Sequence, residues 1–275
     1  MGVDAPTFFQ AIENRGIYIV ENGTTQAIAN TVWAFATLGI TCPHLFGAIN
    51  RKAPDVIKYA KPQHISNIAW ACGTVGDARS CPAFFAAIDK NGRTVQLFDE
   101  SQHIANTVWA FARLKMPCPR LLREINKHGA SIVRDGIPQN SANIAWACYT
   151  LDVYCPTFFR SLDAGFRNMA GKSWDAQHIS NVALALAFFG VGSPNFFHAV
   201  SDSVDSIVGV GNAQAVSNLI YAFVILDLAF TYESAFGSLW QKATNIPVDE
   251  FALEGKQQLF HSYAMVSQLM DIEEP

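Results

Sequence analysis

The stretch Gln102 to Leu114, QHIANTVWAFARL, is one of six close copies spaced almost evenly along the chain. The others are QAIANTVWAFATL (Gln26 to Leu38), QHISNIAWACGTV (Gln63 to Val75), QNSANIAWACYTL (Gln139 to Leu151), QHISNVALALAFF (Gln177 to Phe189) and QAVSNLIYAFVIL (Gln214 to Leu226). Measured between Asn30, Asn67, Asn106, Asn143, Asn181 and Asn218, the intervals are 37, 39, 37, 38 and 37 residues. A period of this length marks a repeat architecture, in which no single unit can bury its own apolar face.

Within one copy, Ile104, Ala105, Val108, Trp109, Ala112 and Leu114 recur at steps of three and four, the spacing of one side of an α-helix. This places Trp33, Trp70, Trp109 and Trp146 among apolar neighbours and predicts that they pack in the core. Gln102 and Asn106, four apart, share the margin of that stripe. The pair is repeated without change, whereas a position that reads a sequence should vary, so the amides are expected to satisfy neighbouring backbone groups.

The other half of each repeat starts at a proline: Pro6, Pro43, Pro82, Pro119, Pro156 and Pro194. The following segments, such as PTFFQAI, PAFFAAI and PRLLREI, have apolar residues two, three and six places on, and proline is a favoured first helical residue. Each repeat therefore reads as two helices. Gly39, Gly76 and Gly190 are placed to end the tryptophan-bearing helix, and Thr24, Asp175 and Asn212 to cap its start. The predicted fold is an all-α, right-handed α-solenoid of about six helix-turn-helix repeats (6–38, 43–75, 82–114, 119–151, 156–189 and 194–226). A degenerate cap over 231–270 completes a single domain spanning 1–275, with no linker long enough to divide it.

Half of the 275 residues are hydrophobic and 15% are charged, which suits helices buried on more than one side. No apolar run reaches the roughly 18 residues of a membrane span, so a soluble chain with no membrane contact is expected. The net charge of −4 conceals a division. Residues 51–172 sum to +7 and residues 173–275 to −9, which points to two surfaces with different partners. Cys42, Cys81, Cys118 and Cys155 each precede a proline once per repeat, too far apart in stacked helices to bond to one another or share a metal. They read as reduced, small residues in a reducing compartment. The N-terminal MGVDAPTFFQ shows no targeting leader, as in a protein imported without one, a mature form or a fragment.

Helix pairs of about 38 residues carrying Q-x-x-A-N-x-x-W-A and then L-x-x-x-x-P with a hydrophobic pair resemble the octotricopeptide-repeat family. The related heptatricopeptide and FAST-kinase-like helical repeats look similar. QAIANTVWAFATLGITCP and QHIANTVWAFARLKMPCP carry the likeness most clearly, and it covers about Pro6 to Phe236. The resemblance implies an RNA-binding α-solenoid of mitochondria or plastids, acting in transcript stability, processing, translation, ribosomal RNA binding or editing. The family's proline-rich segment is reduced here to CPTFF and CPAFF, and the C-terminal RAP domain of many relatives is absent, so no nuclease-like activity is carried over. Leu184 and Tyr221 replace the tryptophan in the fifth and sixth copies.

Binding positions are expected on the proline-started helices one, four and eight places after the proline, opposite the apolar side. Single-stranded RNA would be the ligand, at about one base per repeat. Arg51, Lys90, Arg120, Arg123, Lys127, Arg160 and Arg167 are the candidate phosphate contacts, with His44 on the same stripe. The residues after each glutamine, among them His64 and His103, vary and are expected to be exposed as secondary contacts. With one histidine per repeat they form no metal cluster. GFRNMAGKS (Gly165 to Ser173) has five residues between its glycines where a phosphate-binding loop needs four. No catalytic constellation and no cofactor is read. The alternative to RNA binding is a protein-binding scaffold, with the acidic C-terminal third meeting a protein partner.

Overall fold

The computed structural model describes residues 6–75, 81–91, 100–166 and 174–273, with side chains of the last helix described to residue 268. Among these residues the chain is all-helical, with eighteen α-helices and one 3₁₀ turn at Val248–Glu250. The helices fall into two compact units. One comprises Met1–His128 with Thr150–Cys155, the other Gly129–Tyr149 with Pro156–Pro275.

In the first unit, α1 (Pro6–Asn14), α4 (Pro43–Arg51), α7 (Pro82–Lys90) and α9 (Pro119–Lys127) are the proline-started helices. The amide-bearing helices are α3 (Thr25–Thr37), α6 (Pro62–Val75) and α8 (Ser101–Arg113). Each set makes its own row, α1 on α4 on α7 on α9 and α3 on α6 on α8. The second unit repeats the plan. Here α12 (Pro156–Phe166) and α14 (Pro194–Asp202) lead to α17 (Glu233–Asn245), while α13 (Ala176–Phe188) packs on α16 (Ala213–Ile225) and then on α18 (Leu253–Glu273).

Among the described residues the repeat is more than a pair of helices. In each of the four repeats whose connection is described, a seven-residue helix intervenes: α2 (Gly16–Asn22), α5 (Ala53–Tyr59), α10 (Gly129–Asp135) and α15 (Val204–Val210). One residue makes the break each time. Arg15, Lys52, His128 and Ser203 sit near φ −100° and ψ 10°, in the sparsely used bridge region that turns the chain without unwinding it. The next residue is pressed on the following proline helix. A Cβ on Gly16 would lie 2.7 Å from the Leu45 nitrogen, and one on Gly129 would lie 2.6 Å from the Phe158 Cα.

The core lies between the two rows and is built from phenylalanine. Phe84, Phe85, Phe158, Phe159, Phe196 and Phe197 are fully buried. Phe9 meets Phe35, Phe85 meets Phe111 and Phe197 meets Phe223 edge to face, with centroids 4.8–5.4 Å apart. This offset of proline plus three against glutamine plus nine locks the two helices of a repeat in register.

The ends of the amide-bearing helices obey local chemistry. Thr24, Asp175 and Asn212 accept hydrogen bonds from the backbone N–H groups of Ala27, His178 and Ala215, as their positions predicted. Gly39 (φ 68°) and Gly190 (φ 62°) take the left-handed terminal conformation, and Gly76 lies outside the described residues. Lys115, Asp152 and Asp227 take the same conformation without being glycine (φ 53° to 57°). The N–H groups of Ile40, Met116, Val191 and Leu228 then close six-residue loops onto the carbonyls of Phe35, Phe111, Leu186 and Phe223.

The proline helices are capped from outside. Their cap residue in three cases is a cysteine, which offers no oxygen to the first-turn N–H groups. The acceptor comes instead from the repeat before, seven places after its own proline. Glu13, buried, accepts from the N–H of His44 and of Leu45. Asn50 accepts from Ala83 (2.6 Å) and Phe84 (3.3 Å), and Asp89 from Arg120 and Leu121 (both 2.9 Å). Asp163 accepts from Phe196 (3.1 Å) in the second unit. Asp89→Ala should therefore cost the first unit about 2 kcal/mol, the upper range for a lost cap. Asp89→Asn, which keeps the oxygen, should cost less than half of that, both read from urea midpoints.

Candidate nucleic-acid interface

The row of proline helices in the first unit presents the expected basic stripe. Arg51, Lys90, Arg120, Arg123 and Lys127 are exposed on successive packed helices, as is His44. Arg160 is exposed on α12 in the second unit, and Arg167 lies outside the described residues. Several of these groups have partners that limit their freedom. Arg120 Nη1 donates to the Lys90 carbonyl at 3.1 Å, which ties the third and fourth repeats together, and Lys127 Nζ lies 3.8 Å from Glu124. His44 Nδ1 lies 3.4 Å from Glu13. Among the described residues no ion pair to Arg51, Lys90, Arg120 or Arg123 is formed, and the nearby Asp89 and Glu13 are engaged with backbone N–H groups.

The residues that follow each glutamine depart from expectation. Ala27 is exposed, but His64, His103 and His178 are half-buried, and Asn140 and Ala215 are buried. Their offset of one from the glutamine turns them toward the preceding helix. The His64 Nδ1 lies 3.0 Å from Thr25 Oγ1, bridging α3 and α6, and burial together with Lys61 pushes its pKa below the ordinary histidine value. His103 Nε2 lies 3.8 Å from Glu100. His64 thus acts between helices and His103 beside the start of its own, and both are poorly placed as free contacts.

All six cysteines are buried and unpaired by disulfides. The Cys42 thiol is pushed up to about 12, first by burial and then by Glu13, so it stays protonated and is no nucleophile. No disulfide joins equivalent cysteines, but Cys72, near the end of the second repeat, and Cys81, at the start of the third, approach to 3.3 Å between sulfurs. The sequence reading compared only like positions and missed that pair.

The tryptophans are the largest correction. Trp33 is 47% exposed, and Trp70, Trp109 and Trp146 are half-buried, while Phe35 and Phe111, two places further on, are about 1% exposed. On a helix of 3.6 residues per turn, a residue seven places on returns to within about 20° of its start, so tryptophan stands beside glutamine. The first four amide-bearing helices thus carry a Gln, Asn, Trp edge, exposed or half-buried. Gln26, Gln63, Gln102, Gln139, Gln177 and Gln214 are all exposed. The side-chain amides of Asn30, Asn67, Asn106, Asn143 and Asn181 have no hydrogen-bond partner among the described residues, so the expectation that they satisfy nearby backbone is wrong.

In the second unit Tyr149 Oη, on α11 (Pro138–Thr150), donates to Glu254 on α18 at 3.3 Å. The Tyr149 ring also meets Phe188 of α13 with centroids 5.0 Å apart. Burial and the Glu254 carboxylate push the Tyr149 phenol up to about 12. At the last rung Asn218 is buried, and its oxygen accepts a 3.0 Å hydrogen bond from the Gln258 carboxamide.

No family model matches the chain, and no curated protein does. Among the described residues, no helix is long and apolar enough to cross a membrane, and no three His, Cys, Asp or Glu side chains converge to hold a metal ion.

Proposed function

We propose that this chain is a right-handed α-solenoid that binds single-stranded RNA without catalysing a reaction, in the manner its octotricopeptide-like repeats imply, and that it serves mitochondrial or plastid RNA metabolism. The observation that supports this best is the run of Arg51, Lys90, Arg120 and Arg123, exposed on consecutive helices of one row and in no ion pair among the described residues. Phosphate contact by such a run supplies affinity that falls steeply with salt, at about −0.7 in logarithmic slope per contact on a single strand.

The test titrates a labelled pool of random RNA with the full chain at two salt concentrations. Arg120→Glu combined with Arg123→Glu should lower affinity at least about tenfold and flatten the slope by about 1.4. Unchanged affinity and slope would remove this stripe from the interface, and no binding of the wild type at low salt would remove the RNA reading.

A protein-binding scaffold is the second reading, and the terminal helices favour it. Leu253, Phe260 and Val248 are each at least 70% exposed, beside Asp249, Glu250 and Glu254, a surface that repels phosphate.

A further inference from the structure

We infer that the Gln, Asn, Trp edge of α3, α6 and α8 is a separate binding site for an extended polypeptide segment. The inference goes beyond RNA binding and uses none of the basic stripe on the proline helices.

The first observation is the pairing of invariance with solitude. Asn30, Asn67 and Asn106 keep their identity from repeat to repeat, yet their amides bond to nothing in the described chain and stay open to solvent. A structural role would leave a hydrogen bond to point to. A base-reading role would call for side chains that change as the bases change. A ladder of identical amides fits a ligand whose own donors and acceptors repeat identically, and a peptide main chain offers one N–H and one C=O at every residue.

The second observation is spacing. The Trp33 and Trp70 ring centroids lie 6.5 Å apart, with planes 34° from parallel. An extended chain rises about 3.2–3.4 Å per residue, so every second side chain recurs at about 6.4–6.8 Å. Two alternate long side chains of such a segment would therefore settle against the Trp33 and Trp70 indoles while the residue between turns away.

Charge is the third. The three helices TQAIANTVWAFAT, PQHISNIAWACGTV and SQHIANTVWAFAR contain no carboxylate and a single cation, Arg113. A face this close to neutral is ill-suited to phosphates and well suited to the uncharged peptide group. The chain itself supplies a precedent in the second unit, where the sixth copy of the rung, Asn218, is already occupied by a carboxamide, that of Gln258. A carboxamide carries the donor and acceptor of a peptide bond.

The experiment selects binders to the full chain from a displayed pool of random linear twelve-residue peptides, then synthesises the best of them. Asn67→Ala with Asn106→Ala should weaken binding about tenfold, the loss of two neutral hydrogen bonds, with circular dichroism and thermal midpoint unchanged. N-methylation of the peptide at alternate residues should abolish binding in one register and spare it in the other. Trp33→Ala should weaken it and remove the fluorescence change on binding. The proposal is overturned if the pool yields no binder, if the asparagine variants bind as the wild type does, or if both methylated registers bind equally. It is also overturned if single-stranded RNA displaces the peptide and loses its own affinity in the asparagine variants, which would assign the edge to nucleic acid. Loss of RNA binding in the Arg120 and Arg123 variant alone would leave the peptide proposal standing, so the two readings fail separately.

Discussion

Gly129→Ala is expected to destabilise the second unit by about 3 kcal/mol, the upper range for forcing a methyl group into packed structure. The added Cβ would lie 2.6 Å from the Phe158 Cα and 2.8 Å from its nitrogen. Both are backbone atoms of a helix start, which cannot swing aside as a side chain can. Relief would need α10 to move off α12, and these two helices form one of the closest packed pairs of the unit. Gly237→Ala is the control, since nothing lies within 4 Å of the new Cβ and the site is inside helix α17. It should stabilise by about 0.5–1 kcal/mol through the lost freedom of the unfolded chain. Urea unfolding of both variants checks the pair. Equal midpoints would mean that the short helices are not held against the next repeat as described.

Phe111→Ala should cost the first unit about 3–5 kcal/mol, the range for deleting a buried aromatic ring and leaving its cavity. Phe111 is 1% exposed and meets Phe85 edge to face at 4.8 Å, with no room for the neighbours to collapse between two packed rows. Trp33→Ala, the substitution that looks more drastic on paper, should cost only about 1 kcal/mol, because nearly half of that ring is already in water. Thermal unfolding of the two variants decides the matter. A tryptophan variant as damaged as the phenylalanine variant would put the indole back in the core.

That contrast shows what the sequence could and could not convey. The period, the proline starts and the caps at Thr24, Asp175 and Asn212 were legible because each rests on one or two neighbouring residues. The exposure of the tryptophans was legible in principle, since seven residues bring a helix back to its starting side. Hydrophobicity outweighed geometry, and Phe111, nine residues on and opposite the glutamine, was passed over. The seven-residue helices were harder to see, being too short for a periodic pattern and broken at Arg15, Lys52, His128 and Ser203 without glycine or proline. The acceptors Glu13, Asn50, Asp89 and Asp163 did leave a trace, an oxygen-bearing side chain always seven places after the proline. Its partner lies 30 or more residues away, so no local rule assigns it. The described residues of the basic stripe are exposed, whereas His64 turns onto a neighbouring helix and His103 is half-buried beside Glu100, one residue of offset from the exposed glutamine.

Capping across repeats gives the array a direction of growth. At four junctions the earlier repeat already holds the oxygen that the next one needs to start its leading helix, so synthesis from the N-terminus lays down these clasps before their counterparts emerge. Whole units copied or deleted between equivalent prolines would meet a ready-made clasp at the new junction. Lengthening such a chain by duplication requires no invention at the seam.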